Sequence, residues 1–147
     1  MVVIEKNEIF ELAYRFVTET NENIFLTGKA GTGKTTFLKY LKENATKNIV
    51  IAAPTGVAAI NAGGVTLHSL FQLPFHPFLP TKNNKDELLA KIRHNNNRLQ
   101  ILRKMELLVI DEIRMVRCDV MDAIDTVLRS VRRNYNTHFG GVQLLCI

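Results

Sequence analysis

Apolar residues recur along this chain in two rhythms, one helical and one nearly continuous. Ile9, Leu12, Ala13, Phe16 and Val17 follow helical spacing and predict a first amphipathic helix, which Asn21, Glu22 and Asn23 end. Residues 24 to 27, 49 to 53, 107 to 110 and 142 to 147 are instead short apolar runs, too brief for helices and expected to be buried strands. Pro54 closes the second run. Phe37, Leu38, Lys39, Tyr40 and Leu41 predict a helix after the first run, and residues 86 to 93 and 98 to 105 two more, separated by Asn95, Asn96 and Asn97. Val116, Val120, Ile124, Val127, Leu128 and Val131 form the apolar stripe of a later helix, whose other face carries Arg117, Asp119, Asp122, Asp125 and Arg129. Residues 71 to 79 are aromatic but spaced by Pro74, Pro77 and Pro80, which excludes a regular helix or a central strand. Apolar strands alternating with helices predict an α/β fold, a parallel sheet covered by helices on both faces.

The first strand runs into a glycine-rich loop. Gly28, Lys29, Ala30, Gly31, Thr32, Gly33, Lys34 and Thr35 fit the phosphate-binding pattern G-x-x-x-x-G-K-[ST], and Thr36 follows inside the next helix. Glycine lacks a Cβ, so the backbone there can turn its N–H groups around a phosphate. Lys34 is placed to reach the β- and γ-oxygens of a nucleoside triphosphate, Thr35 offers a hydroxyl to Mg²⁺, and the helix adds its positive end. A strand, a glycine loop and a helix in that order are what this chemistry requires. At the end of the third apolar run, Asp111 and Glu112 place two carboxylates on the sheet edge where ligands bind in α/β folds. Asp111 is a candidate second Mg²⁺ ligand opposite Thr35, and Glu112 a candidate to orient the attacking water.

Composition narrows the class without naming a substrate. With 147 residues and 46% hydrophobic content the chain suffices for one domain with one core, and no internal repeat or long linker divides it. No apolar run reaches membrane-spanning length, and the first six residues become charged too early for a leader peptide, so a cytoplasmic location without membrane partners is expected. Cys118 and Cys146 lack metal-ligand spacing and read as reduced structural thiols. A net charge of +5 permits a nucleic-acid partner. The densest basic group, Arg129, Arg132 and Arg133, sits where it complements a helix C-terminus, and a structural role is expected for it.

Four segments taken together carry a resemblance: residues 25 to 36 (FLTGKAGTGKTT), 53 to 71 (APTGVAAINAGGVTLHSLF), 109 to 119 (VIDEIRMVRCD) and 139 to 145 (FGGVQLL). In this order they resemble the PIF-type DNA helicases of superfamily one, which move 5′ to 3′, and they span nearly the whole chain. The resemblance implies the N-terminal RecA-like motor domain of a P-loop NTPase, with ATP and Mg²⁺ as cofactors and a setting in DNA repair and genome or telomere maintenance. It implies further that the second segment tracks single-stranded DNA. There Thr55, Gly56 and Val57 open a short helix whose free N–H groups suit a phosphate, and His68, Ser69 and Phe71 follow along the DNA path.

The chain departs from the family pattern in three places. It stops at Ile147, where the family continues into a G-D-x-x-Q-L-P-P segment, so the domain is expected to be incomplete at the C-terminus. The family's second motor domain supplies an arginine, and an arginine finger is worth roughly 10³- to 10⁵-fold in rate in related chemistry, so this chain alone is expected to bind ATP and hydrolyse it poorly. Arg114 stands where the family has Ser, adding a cation close to the acidic pair. No Gln precedes Gln72, which removes the residue that reads adenine in many members. Two other readings are compatible with the same residues: a nucleotide- and DNA-binding module without useful turnover, and a different P-loop ATPase acting on DNA.

Overall fold

The computed structural model describes residues 7–147; the charged opening residues 1 to 6, read above against a leader peptide, lie outside the described residues. Helix α1 (Glu8–Glu19) starts at Asn7, whose side-chain oxygen accepts the Phe10 N–H at 2.8 Å. Strand β1 (Ile24–Phe25) leads through the glycine loop into α2 (Lys34–Asn44), followed by β2 (Ile49–Ala53). Next come α3 (Gly56–Ala62), the two-residue β3 (Val65–Thr66), α4 (Leu67–Phe71), α5 (Lys82–Arg93) and α6 (Asn96–Lys104). Strand β4 (Leu107–Ile110), a 3-10 turn (Ile113–Met115), α7 (Cys118–Val131), a second turn (His138–Gly141) and β5 (Gln143–Cys146) complete the order.

Among the described residues the five strands are all parallel, in the order β1-β5-β4-β2-β3. Side chains alternate across the sheet with the two-residue period of a strand. Ala52, Leu108, Ile110 and Leu144 enter one core with residues of α4, α5, α6 and α7. Ile51, Leu107, Val109 and Leu145 enter the other with α1 and α2. That is the expected sheet with helices on both faces.

At one margin one expectation fails, and the first helix, present as expected, buries only part of its stripe. The run at residues 24 to 27 is an edge strand with Phe25 68% exposed, because among the described residues it pairs with β5 alone. On α1, Ala13 and Val17 are buried while Ile9, Leu12 and Phe16 remain exposed, so only part of the helical stripe enters the core.

Polar side chains tie the layers together. Lys47 Nζ donates to Val17 O at 2.7 Å, Thr20 O at 2.6 Å and Gln143 Oε1 at 2.7 Å, fastening the end of α1 to β5. Burial lowers the Lys47 ammonium below its ordinary pKa, with Glu106 opposing that shift. Arg132 donates to Arg103 O and Met105 O at 2.8 Å and to Gly140 O at 3.0 Å, so it closes the C-terminus of α6 and holds the turn that precedes β5. Arg129 pairs with Asp125 at 2.9 Å. The arginine group is thus structural at Arg129 and Arg132, though it caps a neighbouring helix as well as serving its own.

Candidate nucleotide site

Parallel pairing sets the site's geometry. Cys146 of β5 lies in register with Phe25 on one side and Ile110 on the other. The glycine loop after β1 and the acidic pair after β4 therefore leave the sheet at one height, with a single strand between them. At the usual strand spacing that separates their backbones by roughly 9–10 Å. Between them opens a cleft of about 790 Å³, within the usual size range of small-ligand sites.

The loop has the required backbone. Gly31 and Gly33 take φ of +81° and +89°, values that an L side chain adopts only with strain. Thr32 Oγ1 donates to Lys29 O at 2.7 Å, and Lys34 Nζ donates to Gly28 O at 2.7 Å, so both side chains brace the loop from within. Gly28, Lys29, Ala30, Gly31, Gly33, Lys34, Thr35 and Thr36 all line the cleft, whereas Thr32 serves the bracing contact.

The opposite wall carries Asp111 and Glu112. Asp111 N–H continues the strand's pairing to Ala52 O at 2.9 Å, and Asp111 Oδ1 accepts the Glu112 N–H at 3.0 Å. Glu112 has φ of +56° and opens the 3-10 turn, and its Oε2 lies 2.9 Å from Arg114 Nε. Thr35, Asp111 and Glu112 therefore face one cleft. A hydroxyl and a carboxylate on opposite walls are a hard-oxygen donor set suited to Mg²⁺ bridging to phosphates, so the residues present fit Mg²⁺ and a triphosphate. Asn61 also lines the cleft, from α3. Nothing local in the sequence around Asn61 signals that α3 borders the nucleotide cleft.

The second segment is arranged differently from the expectation. Thr55 caps α3, its side chain accepting Ala58 N–H at 3.2 Å, and Gly56 and Val57 are exposed beside it. In α4, Leu67, Leu70 and Phe71 form the inward i, i+3, i+4 face, each 0–1% exposed. Phe71 is therefore a core residue and not a stacking surface for DNA, which corrects the expectation above. His68 and Ser69 occupy the outward face. The exposed aromatic is Phe75, 90% exposed and stacked on His68 with ring centroids 5.7 Å apart and 8° between planes. Its signal in the sequence was the pair of flanking prolines, Pro74 and Pro77, which hold the segment out of regular structure.

Parallel topology, glycine loop and acidic pair define a RecA-like P-loop nucleoside-triphosphatase domain. A PIF1-like helicase family model matches residues 1–146. The ATP-dependent DNA helicase PIF1 of Saccharomyces cerevisiae is 36% identical over 146 residues, covering 96% of this chain and 16% of the yeast protein. The Psychrobacter ATP-dependent DNA helicase Pif1 is 32% identical, covering 88% of this chain and 19% of its own length. A Bacteroides Pif1 bound to single-stranded DNA superposes with a TM-score of 0.84 at 47% identity, over 99% of this chain and 32% of that one. Bacteroides sp Pif1 in complex with ADP-AlF4 gives 0.82 at 47%, with the same coverage. The chain belongs to the PIF1-like helicase family, and it spans under a fifth of these curated relatives and about a third of these solved chains.

Proposed function

We propose that this chain is the ATP-binding motor domain of a DNA helicase that moves 5′ to 3′ on single-stranded DNA in genome maintenance. The observation that carries the reading is the single cleft that receives Lys34 and Thr35 from one wall and Asp111 and Glu112 from the other. Lys34 would leave Gly28 O for the β- and γ-oxygens, spreading positive charge where negative charge develops. Thr35 and Asp111 would hold Mg²⁺, which neutralises the phosphate oxygens when bound. Glu112 would orient the attacking water and accept its proton. The relatives support the same reading: the yeast protein is an ATP-dependent DNA helicase, and Bacteroides Pif1 structures hold ADP-AlF4 in one case and single-stranded DNA in another.

Helix α3 supports a DNA track beside the cleft. Ala58 and Asn61 line the nucleotide side, while Val57 and Ile60 stand 72% and 80% exposed. A short helix with one face on the nucleotide and another on solvent can move with the phosphate state and shift whatever rests on it. Thr55, Gly56 and Val57 would meet a DNA phosphate there, and His68 and Ser69 would lie further along the strand. The stacked His68–Phe75 pair gives a base of any identity a π-face, for about 1–3 kcal/mol.

Labelled oligonucleotides test this reading. Phe75→Ala should weaken single-strand binding roughly tenfold in fluorescence anisotropy while leaving the thermal midpoint unchanged. Duplexes with a 5′ tail, given to the whole protein that carries this domain, should be unwound in preference to those with a 3′ tail. Equal unwinding of both tails would overturn the direction, and unaltered binding by the Phe75 variant would remove the stacking contact.

A further inference from the structure

The cleft's basic side chains are Lys29 and Lys34 on the loop wall and Arg114 on the other. Arg114 reaches the cleft from the 3-10 turn after β4, so it stands on the side of the acidic pair. Its Nε lies 2.9 Å from Glu112 Oε2 as an ion pair, with the arginine side chain 82% exposed and the carboxylate 37% exposed. An ion pair so open to solvent is weak and readily exchanged for a better anion. A guanidinium has five N–H donors in a planar fork that matches phosphate oxygens as well as carboxylate oxygens.

We infer that Arg114 senses the terminal phosphate of the nucleotide, giving up Glu112 when a triphosphate reaches the β4 wall. This rests on the reading of the cleft as a Mg·ATP site. Paired with Arg114, the Glu112 carboxylate has one oxygen tied up and is a poorer acceptor for a proton from water. A triphosphate lying from the glycine loop toward the acidic pair brings its last phosphoryl group to the wall where Arg114 stands. The guanidinium then exchanges one anion for a more highly charged one, and Glu112 is released to the attacking water. A diphosphate held by the same loop ends one phosphoryl group short of that wall and leaves the pair intact. The device therefore couples discrimination between ATP and ADP to the freeing of the water-orienting carboxylate.

Isothermal titration of the 147-residue chain with Mg²⁺ and either ADP or a non-hydrolysable ATP analogue tests this. Arg114→Ser, which installs the residue of the family pattern and so keeps the turn foldable, should weaken the triphosphate about tenfold and ADP less than twofold. Arg114→Lys should recover part of the difference, because it keeps the charge and loses the fork. Glu112→Gln should tighten the triphosphate more with Arg114 present than in the Arg114→Ser background, because the competing carboxylate is gone. Equal losses for both nucleotides, or no loss, would overturn the inference while the nucleotide site stands. A native chain that binds neither nucleotide would overturn the site itself.

Discussion

At Gly64 a Cβ would lie 2.1 Å from Ile51 O, a backbone atom of β2 that cannot move aside without breaking strand pairing. The glycine lets the chain pass across β2 before β3 pairs with it, Val65 opposite Ala52. Gly64→Ala should cost about 3 kcal/mol, the upper range for forcing an atom into a packed site. Urea unfolding measures it, and an unchanged midpoint would show that the crossing has slack. Position also separates two nearby phenylalanines, one at the end of the second segment and one just past it. Phe71 lies on the same helical face as Leu67 and Leu70, a pattern already present in the sequence that argues for the core. Phe75 follows Pro74 and precedes Pro77, which mark it as outside regular structure, but no periodicity assigns it to a face, so the degree of its exposure emerges from the folded loop.

Among the elements, the proline-spaced segment is held by one side chain of α7. Asp119 accepts the Phe78 N–H at 2.9 Å and pairs with Arg117 at 2.9 and 3.1 Å. The bond from the Phe78 backbone, then that from the Arg117 side chain, holds the Asp119 carboxyl below its ordinary pKa of 3.8. A carboxylate depressed in the folded state contributes stability that is present above its unfolded pKa and lost as pH falls through the folded value. The Phe78 amide should therefore stay protected at pH 5 and lose protection only below the ordinary aspartate range. Its NMR shift should titrate with a midpoint under 3.8, and a midpoint at or above that value would contradict the tether.

The longer elements were legible because their periodicity is local: α7 spans the stripe read from Val116 to Val131 except Val116 itself, which ends the preceding 3-10 turn, and β2 and β4 coincide with their apolar runs. The two-residue β3 and the five-residue α4 were not legible, since each is too short for a period and β3 exists only through pairing with β2. Likewise, the ion pair between Glu112 and Arg114 requires the left-handed backbone at Glu112, which no neighbouring glycine announces.

For the whole molecule, sheet order decides function, and sheet order is the least local property of the chain. The last strand inserts between the first and fourth, a pairing of Ile24 with Leu145 across more than a hundred residues. Sequence motifs supplied the loop and the acidic pair, but the gap between them is set by β5 alone. That spacing leaves the room between Lys34 and Glu112 that the proposed Mg-bound triphosphate tail would need. The proposed function requires these two walls to form one nucleotide site. Isothermal titration of the 147-residue chain with Mg·ATP tests it most directly, run beside Lys34→Ala. Saturable one-to-one binding by the native chain and its loss in the variant are expected, with both proteins folded by circular dichroism. Absence of binding by the native chain, or equal binding by both, would contradict it.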